Sequence, residues 1–381
     1  MRIGIDYTAA ARQGGGIGRC TRELVSAILA EQTPNDFTLL SGTAGLGDAW
    51  ATQAGRLRAL AAPGRLTLRT VPLTDDWMAR IWHRLRIPFR ATWLTGPVDL
   101  FYAPDFLLPP LPRDTRAWVT IHDLSFLRHP ETFPAKLRAY LERAVPRSAE
   151  RADGILTDSE ATRRDVIELL GVAPERVTTV LLGVSGAFTP TAAPGEREIL
   201  RAKYGLGDRP TVLAVGTVQP RKNYERLIEA VDRVRASLDV DLVIAGKPAW
   251  LSESVLEAAA TRDHVRILGF VDDADLPALY RQAAVLAFPS LYEGFGLPPL
   301  EAMACGTPVV ASSASSVPEA VGDAGLLLDP RDTALWADAL STVLTDADLR
   351  ADMAVRGLAH AATFTWTRAA RQWLALLEST R

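Results

Sequence analysis

Short runs of apolar and β-branched residues alternate with longer amphipathic segments along the whole chain. Before residue 182 the apolar runs predict strands, at 1–6, 37–41, 66–71, 100–103, 118–122 and 154–157. After residue 196 they predict strands at 211–216, 241–246, 265–268, 285–289, 308–311 and 325–328, and helices near Asn223, Ser252, Asp275, Pro298 and Val317. Strands that alternate with helices are typical of βαβ units, so the pattern predicts an α/β protein with parallel sheets.

The two sets of strands are separated by residues 182–196, where glycines and prolines interrupt the pattern as they do in a hinge. A chain of 381 residues exceeds what one hydrophobic core usually organises, and 48% of its residues are hydrophobic, enough for two cores. The sequence therefore predicts two Rossmann-like domains, an N-terminal domain at 1–186 and a C-terminal domain at 187–364.

Composition excludes several classes of protein. The chain contains no apolar run of 18 residues and no stretch typical of a signal peptide at its start, so we expect a cytoplasmic protein. Cys20 and Cys305 have neither disulfide-framework nor metal-site spacing, and we expect both to be packing residues. Up to Gly186 there are 23 Arg and Lys residues against 20 Asp and Glu, and beyond it 19 against 25. The basic first half suits an anionic acceptor or a membrane surface, and the alternative is that so small a difference reflects only solvated faces. Nothing indicates nucleic acid binding.

The densest chemistry lies in residues 293–301, which read EGFGLPPLE. Glycines allow a backbone to approach a ligand closely, and Pro298 and Pro299 suit the first positions of a helix. Free amides at such a helix start bind phosphate or sugar oxygens, while Glu293 and Glu301 accept hydrogen bonds from hydroxyl groups. The alternative is an ordinary capped helix start in which Glu301 faces water.

Two further segments are candidates for binding a diphosphate. Residues 14–19 follow the first strand and open a helix, but the segment has Arg19 where a dinucleotide fingerprint requires glycine, which argues against a nicotinamide enzyme. A plain turn is the alternative there. Arg221 and Lys222 follow another strand, where two cations would neutralise a leaving diphosphate. The alternative for this pair is a solvated basic turn.

Other polar residues also follow predicted strands, where open parallel sheets bind their ligands. His122 and Asp123 end one strand, although a histidine at this position is also compatible with a satisfied core residue. Residues 158–160 end another, and their simplest interpretation is the N-cap of the next helix. Lys247 either reaches a nucleotide or an acceptor, or is an ordinary exposed lysine. We expect one interdomain cleft to collect the ligand-binding residues.

Together these motifs resemble the retaining glycosyltransferases of family 4, which have the GT-B fold and a Glu-x7-Glu motif like that of residues 293–301. The resemblance covers nearly the whole chain and is strongest to the mannosyltransferase-like members of bacterial polysaccharide assembly. It implies two Rossmann-like domains facing each other across a cleft, with a C-terminal helix at 365–381 crossing back onto the first domain. One departure is Thr217, because many members carry arginine directly after the glycine that corresponds to Gly216.

The resemblance also implies a reaction. A sugar, with GDP-mannose as the expected donor, passes from a nucleotide diphosphate to a glycan or lipid-linked glycan, and its anomeric configuration is retained. His122 would contact the donor sugar, with Asp123 fixing its imidazole. Glu293 would bind sugar hydroxyls near the reacting carbon, and Glu301 would bind the ribose.

The remaining donor contacts follow from the same resemblance. Arg221 and Lys222 would stabilise the charge that grows on the leaving diphosphate, helped by main-chain amides. The other residues expected to line the donor site, mostly through their main chain, are Gly15, Gly16, Phe270, Val271, Phe295, Gly296 and Leu297. We expect no metal and no further cofactor, since the sequence lacks an Asp-x-Asp pair. The alternatives are a nucleotide-sugar epimerase of the same fold and a non-catalytic sugar-nucleotide-binding protein.

One more segment, 77–94, has an apolar and a basic helical face. The apolar face consists of Met78, Ile81, Trp82, Leu85 and Phe89, and the basic face of Arg80, Arg84 and Arg86. Such a helix either lies on a membrane surface, which would make the protein peripheral to the inner face of the membrane, or packs on the first domain. The sequence leaves both interpretations open.

Overall fold

Residues 1–379, the part of the chain that the computed structural model describes, form two parallel sheets flanked by helices. The strands are β1 (Arg2–Asp6), β2 (Asp36–Gly42), β3 (Leu66–Val71), β4 (Leu100–Ala103), β5 (Arg116–Ile121), β6 (Gly154–Thr157), β7 (Val177–Thr179), β8 (Thr211–Val215), β9 (Asp241–Ala245), β10 (Val265–Gly269), β11 (Val285–Phe288), β12 (Val309–Ser312) and β13 (Leu326–Leu328). Each predicted strand is present, with its ends within about two residues of those expected.

The helices follow most of these strands. They are α1 (Thr8–Arg12), α2 (Gly16–Ala30), α3 (Gly47–Leu60), α4 (Asp75–Ala79), α5 (Thr92–Thr95), α6 (Ser125–Arg128), α7 (Ala135–Arg151), α8 (Glu160–Leu170), α9 (Glu196–Tyr204), α10 (Tyr224–Val234), α11 (Glu253–Ala260), α12 (Leu276–Gln282), α13 (Leu297–Ala304), α14 (Val317–Val321), α15 (Thr333–Thr345), α16 (Ala347–Ala361) and α17 (Trp366–Ser379). The five helix starts predicted in the second half lie within one residue of those observed.

The chain divides into two compact units, here called unit 1 and unit 2. Unit 1 comprises Met1–Leu124, Ala139–Gly183 and the described residues from Thr365 onward, and unit 2 comprises Ser125–Arg138 and Val184–Phe364. The predicted boundary at 186/187 thus lies three residues beyond the observed one. Residues 125–138, which the sequence analysis assigned to the first domain, belong to unit 2, and residues 380–381 of the predicted C-terminal helix lie outside the described residues.

Contacts inside unit 2 explain this assignment of residues 125–138. The indole N–H of Trp250 donates to the Thr132 carbonyl at 2.9 Å, and the Phe133 ring lies 5.7 Å from the Trp250 ring. His129 lies 5.9 Å from the ring of Tyr292. These partners are more than 100 residues away along the chain, so no local pattern predicts them.

Unit 1 is built on a seven-stranded sheet in the order β3-β2-β1-β4-β5-β6-β7, with all neighbouring strands parallel. The central strand β4 is buried along its whole length, as expected for a sheet covered on both faces. The strand order reverses between β1 and β4, and ligands of such folds bind at this reversal, outside the carboxyl ends of the strands.

The edge strand β7 is missing from the predicted set. It has three residues, Val-Thr-Thr, and pairs with β6 in parallel. A segment this short and this polar has no apolar run by which a pattern would identify it.

Unit 2 has six parallel strands in the order β10-β9-β8-β11-β12-β13, which is the 3-2-1-4-5-6 order of a Rossmann fold. Its core is dominated by buried Val, Leu, Ile and Ala residues of the strands together with α10 and α15. The reversal lies between β8 and β11. The prediction of an α/β chain with two Rossmann-like domains is therefore confirmed.

The hinge prediction at 182–196 includes the observed division. A Cβ atom at Gly183 would lie 2.2 Å from the backbone nitrogen of Trp366, so only glycine is accommodated beside the first turn of α17. The next residue, Val184, donates its N–H to the Phe364 carbonyl at 3.0 Å within unit 2. The chain therefore changes units at two adjacent places, 183/184 and 364/365.

The predicted amphipathic helix at 77–94 is not continuous. The segment forms α4, a π-helical turn at Arg80–Arg84 and, after an irregular stretch, α5. Met78 and Trp82 are buried, whereas Leu85 of the same predicted face is 66% exposed. Two of the five residues of the predicted apolar face are thus buried inside unit 1. Among the described residues, no helix is both long and apolar enough to cross a membrane.

Candidate active site

The candidate site of unit 2 lies at the reversal of strand order. β8 is followed by a 3-10 turn, Pro220–Lys222, and its neighbour β11 is followed by the loop that leads into α13. Because β8 and β11 are parallel, both connections start at the carboxyl ends of the strands, on the same side of the sheet. The N–H of Leu291 donates to the Arg221 carbonyl at 2.9 Å and joins the two connections directly.

Glu293 lies between the two predicted cations. Its Oε2 accepts a hydrogen bond from Arg221 Nη1 at 2.7 Å, and its Oε1 accepts one from Lys222 Nζ at 2.6 Å. All three side chains are nearly buried. Burial raises the pKa of Glu293, but the charges of Arg221 and Lys222 outweigh it and lower the pKa to about 2. The cluster therefore holds an ionised carboxylate between two cations and retains one net positive charge.

The turn after β8 is shaped to place Lys222. Gly216 has φ +144°, and a Cβ atom there would lie 3.0 Å from Lys222 Cε, so the lysine passes where a side chain would otherwise be. Asn223 has φ +59°, a left-handed conformation that asparagine tolerates well. Its side-chain amide donates to the carbonyls of Pro289 at 3.1 Å and Pro330 at 2.7 Å, which fixes the end of the turn. The alternative of a solvated basic turn is wrong for Lys222, which is buried.

The loop at Glu293 is held by two serines, Ser315 and Ser316, that no pattern in the sequence predicts. The N–H of Glu293 donates to Ser315 Oγ at 2.8 Å, and Ser316 Oγ lies 2.7 Å from the Glu293 carbonyl and 2.8 Å from that of Phe295. Gly296, with φ +138°, is the N-cap of α13. The helix begins at Leu297, one residue before the predicted start, so the Leu297 amide belongs to the first turn, whose amides have no intrahelical partner.

Glu301 is almost completely buried, with 2% of its surface exposed. The hydroxyl of Tyr280, itself fully buried, donates to Glu301 Oε2 at 2.9 Å. The interpretation in which Glu301 simply faces water is therefore wrong. Tyr280 therefore orients the carboxylate of Glu301. The sequence did not predict this contact because Tyr280 lies 21 residues away along the chain.

Lys247 and two of the residues expected to line the donor site, Phe270 and Val271, lie just after β9 and β10. Lys247 and Phe270 are both exposed, and Lys247 Nζ lies 4.5 Å from the centre of the Phe270 ring. Gly269, with φ +72°, turns the chain after β10, and Val271 is buried. Lys247 is exposed, which both of its predicted alternatives allow, and its side chain lies over an aromatic ring.

In unit 1, His122 directly follows β5 and is buried. Its Nδ1 lies 2.6 Å from Asp158 Oδ2, and its Nε2 lies 2.8 Å from the Pro104 carbonyl. Burial lowers the pKa of His122, but Asp158 and Asp105 outweigh it and raise the pKa to about 9. Asp158, not the predicted Asp123, holds the imidazole.

The strand register explains this correction. β5 and β6 are paired so that Ile121 lies opposite Thr157, and the next residues of the two strands are His122 and Asp158. Asp123 is one residue further and partly exposed. The predicted N-cap role is confirmed for Ser159, whose Oγ accepts from the Thr162 N–H at 3.0 Å. The signal that would have identified the pair is that one predicted strand ends in His122 and another is followed directly by Asp158.

Gly15 and Gly16 lie at the exposed start of α2. Gly15 is the N-cap, no side chain caps it, and a Cβ atom at either glycine would meet open space. Gly18 is different, because a Cβ atom there would lie 2.2 Å from the Gln13 carbonyl oxygen. The predicted loop that opens a helix is therefore present, with its amides exposed at the N-terminus of a 15-residue helix.

Cys20 in unit 1 and Cys305 in unit 2 are both buried, and burial raises the pKa of Cys305 to about 12. Within residues 1–379, no three His, Cys, Asp or Glu side chains converge where they would hold a metal ion.

The chain has two Rossmann-like units, and unit 2 holds buried cations at the reversal of its strand order. This combination is typical of α/β enzymes that bind nucleotides. Residues 196–359 match the family model described as Glycosyl transferases group 1, and residues 15–183 match the one described as Glycosyl transferase 4-like domain. The chain belongs to the group 1 glycosyltransferases. The predicted family and the predicted glycosyltransferase class are confirmed.

Similar proteins agree with this assignment. The O-antigen chain mannosyltransferase B of Escherichia coli is 34% identical over 373 residues, which cover 94% of each chain. A D-inositol 3-phosphate glycosyltransferase of Salinispora arenicola is 39% identical over 235 residues, 57% of this chain and 52% of that protein. The structure of Anabaena Alr3699/HepE in complex with UDP and glucose has a TM-score of 0.75 at 20% identity and covers 99% of both chains. That likeness shows the fold and confirms the predicted GT-B class.

Proposed function

We propose that this enzyme transfers mannose from GDP-mannose to a hydroxyl of a growing polysaccharide or its lipid-linked precursor, with retention of the anomeric configuration. The observation that carries the proposal is the buried cluster of Arg221, Lys222 and Glu293. The choice of mannose and of a polysaccharide rests on the similarity to the E. coli O-antigen mannosyltransferase along nearly the whole chain. None of the similar proteins reported above is named as an epimerase, so that alternative lacks support.

The cluster suits a diphosphate leaving group. When the bond between sugar and phosphate breaks, negative charge grows on the diphosphate, and buried cations stabilise it more strongly than cations in water would. Arg221 and Lys222 are held in place before any ligand arrives, so little reorganisation is required during the reaction. Each such positioned group contributes about a hundredfold to a thousandfold in rate. With two fixed cations, the proposed reaction requires no metal ion and no further cofactor.

The carboxylates and amides complete the proposed donor site. Glu293 is ionised, and a carboxylate has about four acceptor positions. Arg221 and Lys222 each donate to one of its oxygens, which leaves acceptor capacity for sugar hydroxyls. Glu301 binds the ribose, and the main chain of Phe295, Gly296 and Leu297 contacts the phosphates. Phe270 and Val271 contact the base through their main chain, and Lys247 assists beside them.

Residues of unit 1 have assigned roles in the same reaction. His122 acts on the donor sugar, and the exposed amides at Gly15 and Gly16 contact donor phosphates or the acceptor. Asp123 no longer has the task of holding the imidazole. The similarity to a D-inositol 3-phosphate glycosyltransferase favours a second acceptor class, a phosphorylated polyol, which the acceptor assay should include.

The donor is tested by thermal unfolding with a panel of nucleotide sugars. A ligand at 100 times its Kd stabilises the folded protein by about 2.7 kcal/mol, and we expect GDP-mannose to give the largest shift. Incubation of the preferred donor with and without a glycan acceptor then separates transfer from epimerisation. A new sugar nucleotide formed without acceptor would contradict the transferase assignment.

The role of Lys222 is tested by Lys222→Ala. We expect kcat/KM for the donor to fall about a hundredfold or more, because a positioned cation is lost from the leaving group. Lys203→Ala is the matched control, since Lys203 is a largely exposed lysine of the same unit that pairs with Asp272 and Asp275. A loss for Lys222→Ala within a few-fold of the control would rule out the phosphate-binding role.

We also propose that unit 1 associates with anionic membranes through the surface at residues 77–93. Its exposed apolar residues are Trp77, Leu85, Ile87 and Trp93, and the arginines among them are Arg80, Arg84, Arg86 and Arg90. Aromatic rings beside arginines suit the interface of an anionic bilayer. We expect the double substitution Arg80→Glu and Arg84→Glu to reduce co-sedimentation with anionic liposomes. Unchanged sedimentation would contradict this association.

A further inference from the structure

The buried pair of His122 and Asp158 has no assigned task in the proposed reaction beyond contact with the donor sugar. We propose that Asp158 is a positioning residue that holds His122 as an imidazolium ion, so that His122 acts as a fixed positive charge and not as a proton donor or acceptor. The catalytic half of this inference rests on the proposed function. The inference about the protonation state of the ring does not depend on the proposed function, and it is tested separately.

The hydrogen-bond partners of the ring determine its protonation. A backbone carbonyl can only accept, so the Nε2 atom that lies 2.8 Å from the Pro104 carbonyl must carry a hydrogen. An ionised carboxylate also only accepts, so the Nδ1 atom 2.6 Å from Asp158 carries a hydrogen as well. A histidine whose two nitrogens both donate is an imidazolium ion.

Two features of the structure suit a negative charge at Asp158. Asp158 immediately precedes Ser159, the N-cap of α8, where the positive end of the helix favours an anion. Its Oδ2 lies 2.6 Å from the ring nitrogen of His122 in a buried site, where a hydrogen bond to an ionised acceptor is strong. The carboxylate therefore has the positive end of a helix dipole on one side and a ring nitrogen of His122 on the other.

The other groups around His122 also favour a protonated ring. Asp105, after β4, raises the pKa of His122 further through its charge, and the Phe106 ring packs edge-on at 5.4 Å. A small cavity behind the pair is lined in part by Cys20 of α2 and Tyr102 of β4, neither of which carries a positive charge. No cation among these neighbours opposes the charge on the ring.

The same geometry prevents proton transfer to substrate. Both ring N–H groups are directed at atoms of unit 1, and the His122 carbonyl accepts a bond from Thr162 Oγ1 at 3.2 Å. The ring is therefore fixed by its partners and cannot turn a nitrogen toward a ligand without breaking a buried hydrogen bond. What it offers the reaction is its charge, which stabilises negative charge on the donor phosphates.

The protonation state is measured by the ring nitrogen chemical shifts of the five histidines in a pH titration, with the His122 signal assigned by its loss in His122→Gln. We expect the wild-type His122 ring to be doubly protonated at pH 7 and to titrate near pH 9. His83, whose pKa burial and Arg151 lower to about 4, is the internal contrast. A His122 ring that is neutral at pH 7 overturns the inference, whatever the enzyme transfers.

The link to Asp158 is tested by Asp158→Asn, which keeps the shape and a hydrogen-bond acceptor but removes the charge. We expect the His122 titration to move below about pH 7, and kcat at neutral pH to fall about tenfold or more while the donor KM changes little. The alkaline limb of the pH–rate profile should move down with it. Asp153→Asn is the matched control, because Asp153 precedes the same strand β6 and bonds the Ala117 N–H at 2.7 Å.

The outcomes separate the two halves of the inference. If Asp158→Asn lowers the His122 titration but leaves kcat and its pH profile at the level of the Asp153→Asn control, the charge on His122 has no catalytic role and that half is overturned. If the variant does not fold, the wild-type titration alone still decides the protonation state. A Lys222→Ala variant that loses transfer while His122 titrates normally leaves the inference intact.

Discussion

Glu293, in the loop that follows β11, shows how burial and neighbouring charges have opposite effects on the pKa of one residue. Glu293 would ordinarily be neutralised by burial, yet its pKa is lowered to about 2 because two cations contact it. Its ordinary value is 4.5. Since the pKa is lower in the folded state, the stabilisation from this group is fully present above pH 4.5 and is lost as the pH falls from 4.5 toward 2. The cluster is therefore stable at every physiological pH.

The substitution Glu293→Gln should destabilise unit 2 at neutral pH by about 3 kcal/mol, because it leaves two nearly buried cations without their anion. The difference from wild type should shrink at pH 3, where the wild-type protein has lost part of the same stabilisation. Urea unfolding at both pH values measures this. Glu257→Gln, at an exposed position of the same unit, is the control, and a pH-independent difference would contradict the assignment.

Residue types and their spacing predicted the candidate site residues but not the residues that contact them. Five residues that follow predicted strands were identified from the sequence. They are His122, Arg221, Lys222, Glu293 and Glu301. Asp158, Tyr280, Ser315 and Ser316 contact these residues from 21 to 36 positions away. Such contacts depend on strand register and helix packing, which a local pattern does not contain.

At the scale of elements, the turn between β8 and α10 determines where the two cations lie. Gly216 leaves room for the stem of Lys222, and Asn223 ties the turn to the loops after β11 and β13. The Tyr224 hydroxyl donates to the Gly216 carbonyl at 3.1 Å and closes the turn. Each of these contacts positions the lysine without touching a substrate.

Gly216→Ala should therefore impair transfer although it removes no functional group. The new methyl group would lie 3.0 Å from Lys222 Cε, at a backbone φ of +144° that alanine rarely adopts. We expect kcat/KM for the donor to fall about tenfold to a hundredfold, the range expected when a catalytic group is displaced by about 1 Å. Gly207→Ala is the control, because its Cβ atom would make an ordinary contact of 3.6 Å with Asp241. Equal activity of the two variants would contradict the positioning role.

Strands were predicted better than irregular segments for a physical reason. Buried parallel strands are continuous apolar runs, and they were found within about two residues. Residues 77–94 have the periodicity of one amphipathic helix, but the chain forms a π-helical turn there, with Trp82 buried and its indole N–H donating to the Phe89 carbonyl at 2.8 Å. Periodicity cannot distinguish a long helix from two short ones that bury the same residues.

At the scale of the whole molecule, residues from the far end of the chain complete the core of unit 1. The helix α17 packs against α2, and its Trp373 is fully buried. The Trp373 ring lies 5.3 Å from the ring of Tyr102 and 6.1 Å from that of Trp118. The C-terminal helix that the family resemblance led us to expect on the first domain is thus an integral part of unit 1.

Trp373→Ala should lower the free energy of unfolding of unit 1 by about 3–5 kcal/mol, since it leaves a large cavity among aromatic rings. The thermal stabilisation of unit 2 by a nucleotide sugar should remain. Trp93→Ala, at a tryptophan of unit 1 that is 62% exposed, should change stability by no more than about 0.5 kcal/mol. Similar losses for the two tryptophans would show that α17 is not part of the core.

The division of the chain also sets an order of events during synthesis. A ribosome must translate every residue of unit 2 before α17 emerges, because residues 184–364 precede it. Until then the nascent unit 1 lacks Trp373, the partner of Tyr102 and Trp118, while the sequence of unit 2 is already complete. The N-terminal unit of this chain is therefore the last to have all of its core available.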